Sequence, residues 1–416
     1  MSYFRGFKCI RCGTPMGEHP FYEGCPVCKK QGIGCNFTSF YDLRGVKLTE
    51  RNDQPGIYRF RDFFPLDDAA QPISIGEGKT PLLRLERLGK KLGLPNLYVK
   101  DESRNPTMSY KDRLCSLVVT YAKHIGVPAL TIASTGNHGA AAAAYAAAAG
   151  IPCVIFTTPQ VPDTMKTLMQ TYGARVIVTP TSLDRWTIME QCVKELGWLP
   201  ISGFQSPAIG SNCYGIDGYK TIGFEIYEQM GHKAPDFISV PACYADGLYG
   251  TYKGFQDLVD MGYLEKVPQF VGAEVFGSLQ KTLEEQTEIP VSVPTEWSVS
   301  FSIMSGQCTW QALQAIRGSN GYARSSADEE TMKMQLMLAE SEGLYAEASS
   351  VTSLVALSKL AREGIIRPDQ TVVAVLTSTG LKDPASTQAV LPAVPQINPN
   401  LEELRVALAD SYDMQI

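Results

Sequence analysis

The run "ALTIASTGNHGAAAAAYAAAAG", residues 129–150, decides the fold class. "ALTIAS" (129–134) is a short apolar run that reads as a buried strand. A polar, glycine-bearing turn follows, then an alanine-rich helix that stops at Gly150. The turn "STGNHG" holds more polar and glycine residues than a helix cap requires. Its backbone amides face the start of a helix and form an anion site. Ser134, Thr135, Asn137 and His138 add hydrogen-bonding side chains, and a small carboxylate fits there.

The same rhythm recurs along the chain. "NLYVK" (96–100) reads as a strand and 110–125 as a helix, with Leu114, Leu117, Val118, Tyr121, Ala122 and Ile125 at helical spacing. Further strands are expected at "CVIFTT" (153–158), "ARVIVTP" (174–180), "DFISVP" (236–241), "QFVGAEV" (269–275) and "TVVAVLT" (371–377). Strand, loop and helix in repeated succession predict doubly wound parallel sheets. Ligands of such sheets bind beyond the carboxyl ends of strands, here the loops at 134–138, 242–247 and 377–380. At "SVPACYADGLYGTYKGF" (239–255) a strand again runs through a loop into a helix, a geometry that suits a phosphate. "VLTSTGLKDP" (375–384) ends a strand with the hydroxyls of Thr377, Ser378 and Thr379. The stretch 280–345 is more polar and helical, and "NLEELRVAL" reads as one surface helix.

The net charge of −6 supplies no basic field for nucleic acid or anionic lipid. The start, "MSYFRGFKCI", does not read as a signal peptide, and nothing approaches the ~20 apolar residues of a membrane span. The expectation is a cytoplasmic protein with neither nucleic-acid nor membrane partner. The eleven cysteines include two knuckles, "CIRCG" (9–13) and "CPVCKK" (25–30), with twelve residues between them. This is zinc-ribbon spacing, and Cys9, Cys12, Cys25 and Cys28 would close a structural Zn2+ site. A redox or disulfide pair is the other reading, disfavoured in a reducing compartment. Cys35 stands outside the set as a small buried residue.

Ser109 and Asp112 have the spacing of a capping box, which puts Lys111 in the first turn of a helix. The helix dipole disfavours a cation there and would lower its pKa, as an amine that attacks a carbonyl requires. The bland alternative is a surface lysine paired with Asp101, Glu102 or Asp112. "GEGKT" (76–80) imitates part of a P-loop, but the glycine required five residues before Gly78 is Ile73.

Taken together, "GEGKTPL", "KDESRNPTMSYKDR", "STGNHGAAAAAYAAAAGI", "GYKTIGFEI", "YKGF", "QALQAIRGSNGYA", "AESEGLYAEASS" and "VLTSTGLKDP" resemble, in order, the fold type II pyridoxal-phosphate enzymes, and among them the threonine synthase group. Many threonine synthase-like proteins also begin with a zinc ribbon. The resemblance implies two doubly wound parallel-sheet domains plus a small ribbon at 1–45. The large cofactor domain would span 46–105 with 216–400, the small α/β domain 106–215, and a C-terminal helix or tail 401–416. It implies pyridoxal 5'-phosphate bound covalently by Lys111, which would also shuttle protons during catalysis. Asn137 would bond the ring's phenolic oxygen and Thr377 would face the ring nitrogen. The loop of Cys243, Tyr244, Ala245, Asp246 and Gly247 would hold the phosphate. Ser134, Thr135, His138 and Asn212 would meet an amino-acid substrate, in an enzyme that is commonly a homodimer.

The implied reaction is elimination of phosphate from O-phosphohomoserine with addition of water to give threonine. Three features depart from the pattern, one of them the missing glycine after the arginine in "SYKDRLCS". In "NCYGIDGYKT" (212–221) Gly215 stands where an arginine usually grips the substrate phosphate. Asp246 in the phosphate loop is also unusual and needs to point away or meet a cation such as Lys253. A paralogous β-eliminating or β-replacing enzyme therefore stays open: a threonine or serine dehydratase, a diaminopropionate ammonia-lyase or a β-substituted amino-acid synthase. So, more remotely, does a metabolite-binding pseudo-enzyme.

Overall fold

The apolar runs form strands. A computed structural model describes residues 3–17 and 21–416. Strands β1 (Phe4–Cys9) and β2 (Phe37–Tyr41) pair antiparallel. They are followed by β3 (Leu82–Arg84), β4 (Leu97–Asp101), β5 (Leu130–Ala133), β6 (Cys153–Thr157), β7 (Arg175–Val178) and β8 (Leu199–Pro200). Then come β9 (Phe237–Pro241), β10 (Gln269–Glu274), β11 (Tyr322–Ser325) and β12 (Val372–Leu376). One sheet has the order β11-β10-β9-β12-β4-β3, parallel throughout except for the antiparallel edge strand β3. The other has the order β7-β6-β5-β8 and is wholly parallel. The mixed α/β architecture with parallel sheets is the one expected. Strands β1, β2, β3, β8 and β11 were not anticipated; they are two to six residues long and carry no apolar run of more than two residues.

The sequence of β12 is apolar without alternation because both of its faces are covered. Val373 and Val375 pack with Ile238, Val240, Phe270, Leu248 and Phe255. Val372, Ala374 and Leu376 point the other way, onto Phe237, Val271, Leu354 and Leu357. The smaller sheet is divided likewise: Ile132 and Ile155 face the main core, while Val154 and Phe156 meet Met189 and Val193.

The helices that matter to the site are α1 (Lys111–Ile125), α2 (Asn137–Ala149), α3 (Ser182–Leu196), α4 (Cys213–Ile216), α5 (Lys220–Gln229), α6 (Asp246–Asp260) and α7 (Ala348–Arg362). Helix α1 ends at Gly126, whose left-handed backbone (φ 70°) turns its N–H back to the carbonyls of Ala122 and Lys123. Helix α2 packs along α1, and its buried methyl-sized side chains allow that close approach.

Beneath the first turn of α1 lies a buried ion network. Arg113 bonds Glu102 and Glu225, and Lys100 bonds Glu225, with all four side chains at most 1% exposed. The two acids balance the two bases, so the cluster is neutral as a whole. The "GEGKT" segment feeds this structure and is not a phosphate loop. Thr80 donates to Glu102, the Lys79 N–H donates to Glu225, and Glu77 accepts from Ser74, Ser116 and Tyr145.

Residues up to Lys382 make one compact unit and Asp383–Ile416 a second, which holds helices at Pro384–Gln388 and Leu401–Tyr412. The latter buries none of its residues, as a surface helix should. Among the described residues no helix is long and apolar enough to cross a membrane.

Candidate active site

The loops after β5, β9 and β12 meet, and with α1 they enclose about 1050 Å³ of atom-free space, counting its open mouth. Ser134, Thr135, Asn137 and His138 come from the first loop, Cys243, Tyr244, Ala245 and Asp246 from the second, and Thr377 from the third. Lys111 enters from the start of α1.

Among the described residues Lys111 makes none of the ion pairs a surface lysine would make. Asp101 pairs with Arg104, Glu102 with Arg113, and Asp112 accepts from the Thr107 N–H (2.7 Å) and hydroxyl (2.5 Å). The Lys111 Nζ instead stands 5.0 Å from the ring centre of Tyr110 and 5.8 Å from that of Tyr219. Two expectations are corrected here. The helix has no Ser109–Asp112 capping box, because Tyr110 is the cap and Ser109 Oγ accepts from the Lys111 N–H at 3.2 Å. Nor is the amine's pKa lowered. Burial pushes it down, but Tyr110, Asp246, Cys115 and Cys243 together raise it above the ordinary lysine value. Burial is thus outweighed by the groups facing the amine.

Asn137 is held rigidly. Its Nδ2 donates to Glu347 Oε2 at 2.6 Å, and its Oδ1 accepts from Lys382 Nζ at 2.8 Å and Ser378 Oγ at 3.1 Å. Glu347 is steadied in turn by the Ser302 hydroxyl. Burial pushes Lys382 down to about 8 against the pull of Glu347 and Asp112. One amide hydrogen of Asn137 is left for a ligand. Thr377 shares a 2.9 Å hydrogen bond with Ser350. Glu347, Lys382, Ser302 and Ser350 were not singled out for these roles from the sequence, though "AESEGLYAEASS" and "VLTSTGLKDP" contain three of them.

In the loop after β5, Ser134 Oγ accepts from the N–H groups of Gly136 (3.2 Å) and Gly139 (2.9 Å) and so shapes the turn. His138 is kept neutral by burial and by nearby Lys111, and its Nε2 has no partner among the described residues. Helix α6 begins at Asp246 after Ala245, whose left-handed backbone (φ 63°) aims the preceding amides outward. Among the described residues the N–H groups of Cys243 to Gly247 take no acceptor. Gly247 is required because a Cβ would lie 2.4 Å from the Tyr110 ring. Asp246 does not intrude on this loop: its carboxylate turns to Ser211 N (2.9 Å), Ser211 Oγ (2.5 Å) and Gln311 Nε2 (2.6 Å). Lys253, the cation considered for it, pairs with Asp217 at 2.6 Å.

Asn212 is not brought to the cavity. It caps α4 by accepting from the Tyr214 N–H (3.1 Å) and donates to the Pro200 carbonyl (2.9 Å). Gly215 is a packing residue, since a Cβ there would sit 2.8 Å from Leu114 Cγ and 3.0 Å from the Leu114 carbonyl. Sequence reading missed Arg185 and Trp186 of α3, which also line the cavity. A lone amine, a row of unpartnered amides and a clamped amide donor suit a ligand that carries both an aldehyde and a phosphate.

The sulfurs of Cys9, Cys12, Cys25 and Cys28 all lie within 4.8 Å of one another. Cys9 to Cys28 is 3.7 Å and Cys12 to Cys25 is 3.6 Å. Thiolates placed tetrahedrally ~2.3 Å from a metal stand roughly 3.8 Å apart. The geometry therefore fits a metal site, and the sulfurs are too distant for disulfides. Arg11 reaches Cys28 Sγ at 3.9 Å and offsets part of the thiolate charge. The hairpin that carries the cluster leans on the cavity wall: Asn36 Nδ2 donates to the Ser211 carbonyl at 2.8 Å.

A family model described as "Pyridoxal-phosphate dependent enzyme" matches residues 73–378. A threonine synthase of Methanosarcina acetivorans is 33% identical over 413 residues, covering 96% of this chain and 98% of the relative. One from Methanocaldococcus jannaschii is 33% identical over 389 residues, 91% of this chain and 93% of the relative. Among solved structures, diaminopropionate ammonia lyase from Escherichia coli shares the fold at TM-score 0.64 with 18% identity, covering 76% of this chain and 88% of that one.

Proposed function

This chain belongs to the pyridoxal-phosphate dependent enzymes, and from that premise we propose a lyase of the threonine synthase type that converts O-phosphohomoserine to threonine and inorganic phosphate. The observation that carries this reading is an amine without an acid partner facing a loop of unpartnered amides, in a chain similar to threonine synthases over nearly its whole length.

Pyridoxal phosphate supplies an electron sink for the carbanion next to the amino group. The protein supplies the rest. Lys111 would hold the cofactor through its aldehyde, and its amine would take and return protons at the α and β carbons of the substrate. The amides of Cys243, Tyr244, Ala245, Asp246 and Gly247 hold the cofactor phosphate at the start of α6. Asn137, clamped by Glu347, Ser378 and Lys382, gives its remaining N–H to the ring oxygen. Thr377 would face the ring nitrogen, and a hydroxyl partner there would leave that nitrogen unprotonated. Ser134, Thr135 and His138 receive the substrate carboxylate, and neutral His138 can do so only as a hydrogen-bond donor. Cys9, Cys12, Cys25 and Cys28 hold a structural zinc ion. The reading includes a homodimer in the cytoplasm acting on a free amino acid.

The test is phosphate release from O-phosphohomoserine by the cofactor-loaded protein, with threonine formed one for one. Absence of both products overturns it. Gly215 favours one second reading, a paralogue that releases ammonia and a 2-oxo acid from threonine, serine or diaminopropionate. The same preparation offered those amino acids distinguishes the two.

A further inference from the structure

We propose that Arg185 recognises the anionic side-chain group of the substrate, a phosphate monoester, doing from α3 what an arginine at position 215 does in the family pattern. This rests on the phosphohomoserine reading above.

Only two cationic side chains, Lys111 and Arg185, line the cavity among the described residues. Lys111 is committed to the cofactor. A substrate that carries a phosphate brings two negative charges into a space whose other cation is Arg185 alone. Arg185 is half-buried, and burial lowers its pKa. Its Nε donates to the Ser182 carbonyl at 3.3 Å, and among the described residues no carboxylate pairs with it. A guanidinium partly stripped of water and left without an acid is costly unless a ligand supplies the anion.

The neighbouring side chains do not compete for this role. Ser202 Oγ accepts from the Ala133 N–H at 3.1 Å, and the Ser211 hydroxyl is spent on Asp246. The N-terminus of α3 is fixed by a capping box between Thr181 and Asp184, so Arg185 rises from a rigid turn. Trp186 stands 6.4 Å from Tyr244, which places this turn beside the cofactor loop. Position 215 has no room for a side chain, so the phosphate-gripping arginine of the pattern cannot stand there.

The experiment compares wild-type holoenzyme with Arg185→Gln and Arg185→Lys. Charge-assisted hydrogen bonds of this kind amount to roughly 10- to 100-fold in kcat/KM. R185Q is expected to lose about that much on O-phosphohomoserine, with R185K between it and wild type. Competitive inhibition by inorganic phosphate should vanish in R185Q. Exchange of the α-proton of 2-aminobutyrate into D2O, which needs no anionic side chain, should fall far less. Cofactor affinity, read from the visible absorption band, should stay within twofold of wild type, roughly the scatter of such measurements.

Equal kcat/KM in R185Q overturns the proposal. So does a loss that comes with weakened cofactor binding, which would put Arg185 on the cofactor phosphate instead. If wild type does not turn over O-phosphohomoserine, the reaction assignment fails on its own. Calorimetric titration of inorganic phosphate into wild type and R185Q then still decides: binding lost in R185Q upholds the anion site, and equal or absent binding in both overturns it.

Discussion

Replacing Arg113 by Met probes the ion network that anchors the first turn of α1, two residues from Lys111. The guanidinium donates to Glu102 at 2.7 and 2.8 Å, to Glu225 twice at 2.8 Å, and to Thr221 at 2.8 Å. Without it Glu225 keeps Lys100 at 2.7 Å. Glu102 keeps only the neutral donors Thr80 at 2.5 Å and Asn105 at 2.9 Å. One wholly buried carboxylate is thus left without its cation. Breaking a buried pair in this way costs about 3–5 kcal/mol, against ~5–15 kcal/mol for a typical fold. The pH dependence follows from the direction of the shifts. Burial raises both acids, but the attraction of Arg113 outweighs it and holds Glu102 and Glu225 below the usual carboxylate range. Such groups contribute stability above their unfolded pKa of roughly 4.3, and lose it as pH falls through the folded value. In R113M burial remains and only the weaker attraction of Lys100 is left to oppose it, so Glu102 shifts upward and protonation relieves the variant at lower pH. Urea unfolding followed by tryptophan fluorescence at pH 7 and pH 5 should therefore show a smaller gap at pH 5. Adding Glu102→Gln to R113M should recover roughly half of the loss. A cost below about 1 kcal/mol at pH 7, or a gap identical at both pH values, would refute the charge-based account.

Lys111→Ala should abolish threonine formation while circular dichroism stays that of wild type; residual turnover at the wild-type rate would remove Lys111 from the chemistry. Zinc analysis should find one ion per chain, and none in the double variant Cys25→Ser, Cys28→Ser; an unchanged zinc content would place the metal elsewhere. Asn36→Ala removes the bond from the hairpin to Ser211, which holds Asp246 at the cofactor loop. Pyridoxal phosphate should bind that variant about fivefold more weakly, as one lost hydrogen bond implies. Unaltered affinity would mean that the hairpin does not steady the loop.

The central strands were legible because they are buried on both faces and so are apolar without interruption, as in 371–377; β7 is largely exposed and was legible only from its Val-Ile-Val run. Edge strands such as β8, two residues long, leave no such trace. The loops around the cavity were legible for a related reason: polar and glycine residues directly after an apolar strand stand out. The partners of Asn137 were harder to assign, because a buried Glu or Lys looks the same in sequence whether it orients a ligand-binding amide or fills an ion network. Asn212 illustrates the opposite error, since its side chain is used to cap α4 and the sequence cannot tell a cap from a contact. Arg185 lies on an amphipathic helix with no local pattern around it, and only the packing of α3 beside Tyr244 brings it to the cavity.

The collision between position 215 and Leu114 constrains how this chain can change. A single substitution at Gly215 would wedge α4 away from α1, and with it disturb the helix that carries Lys111. A smaller residue at 114 would relieve only part of the conflict, because the Leu114 carbonyl lies 3.0 Å from the added Cβ whatever the side chain. Each change alone is harmful, one by crowding and the other by leaving a void. Positions 114 and 215 are thus coupled, and a different leaving group would be met more readily from α3, where Arg185 already lines the cavity.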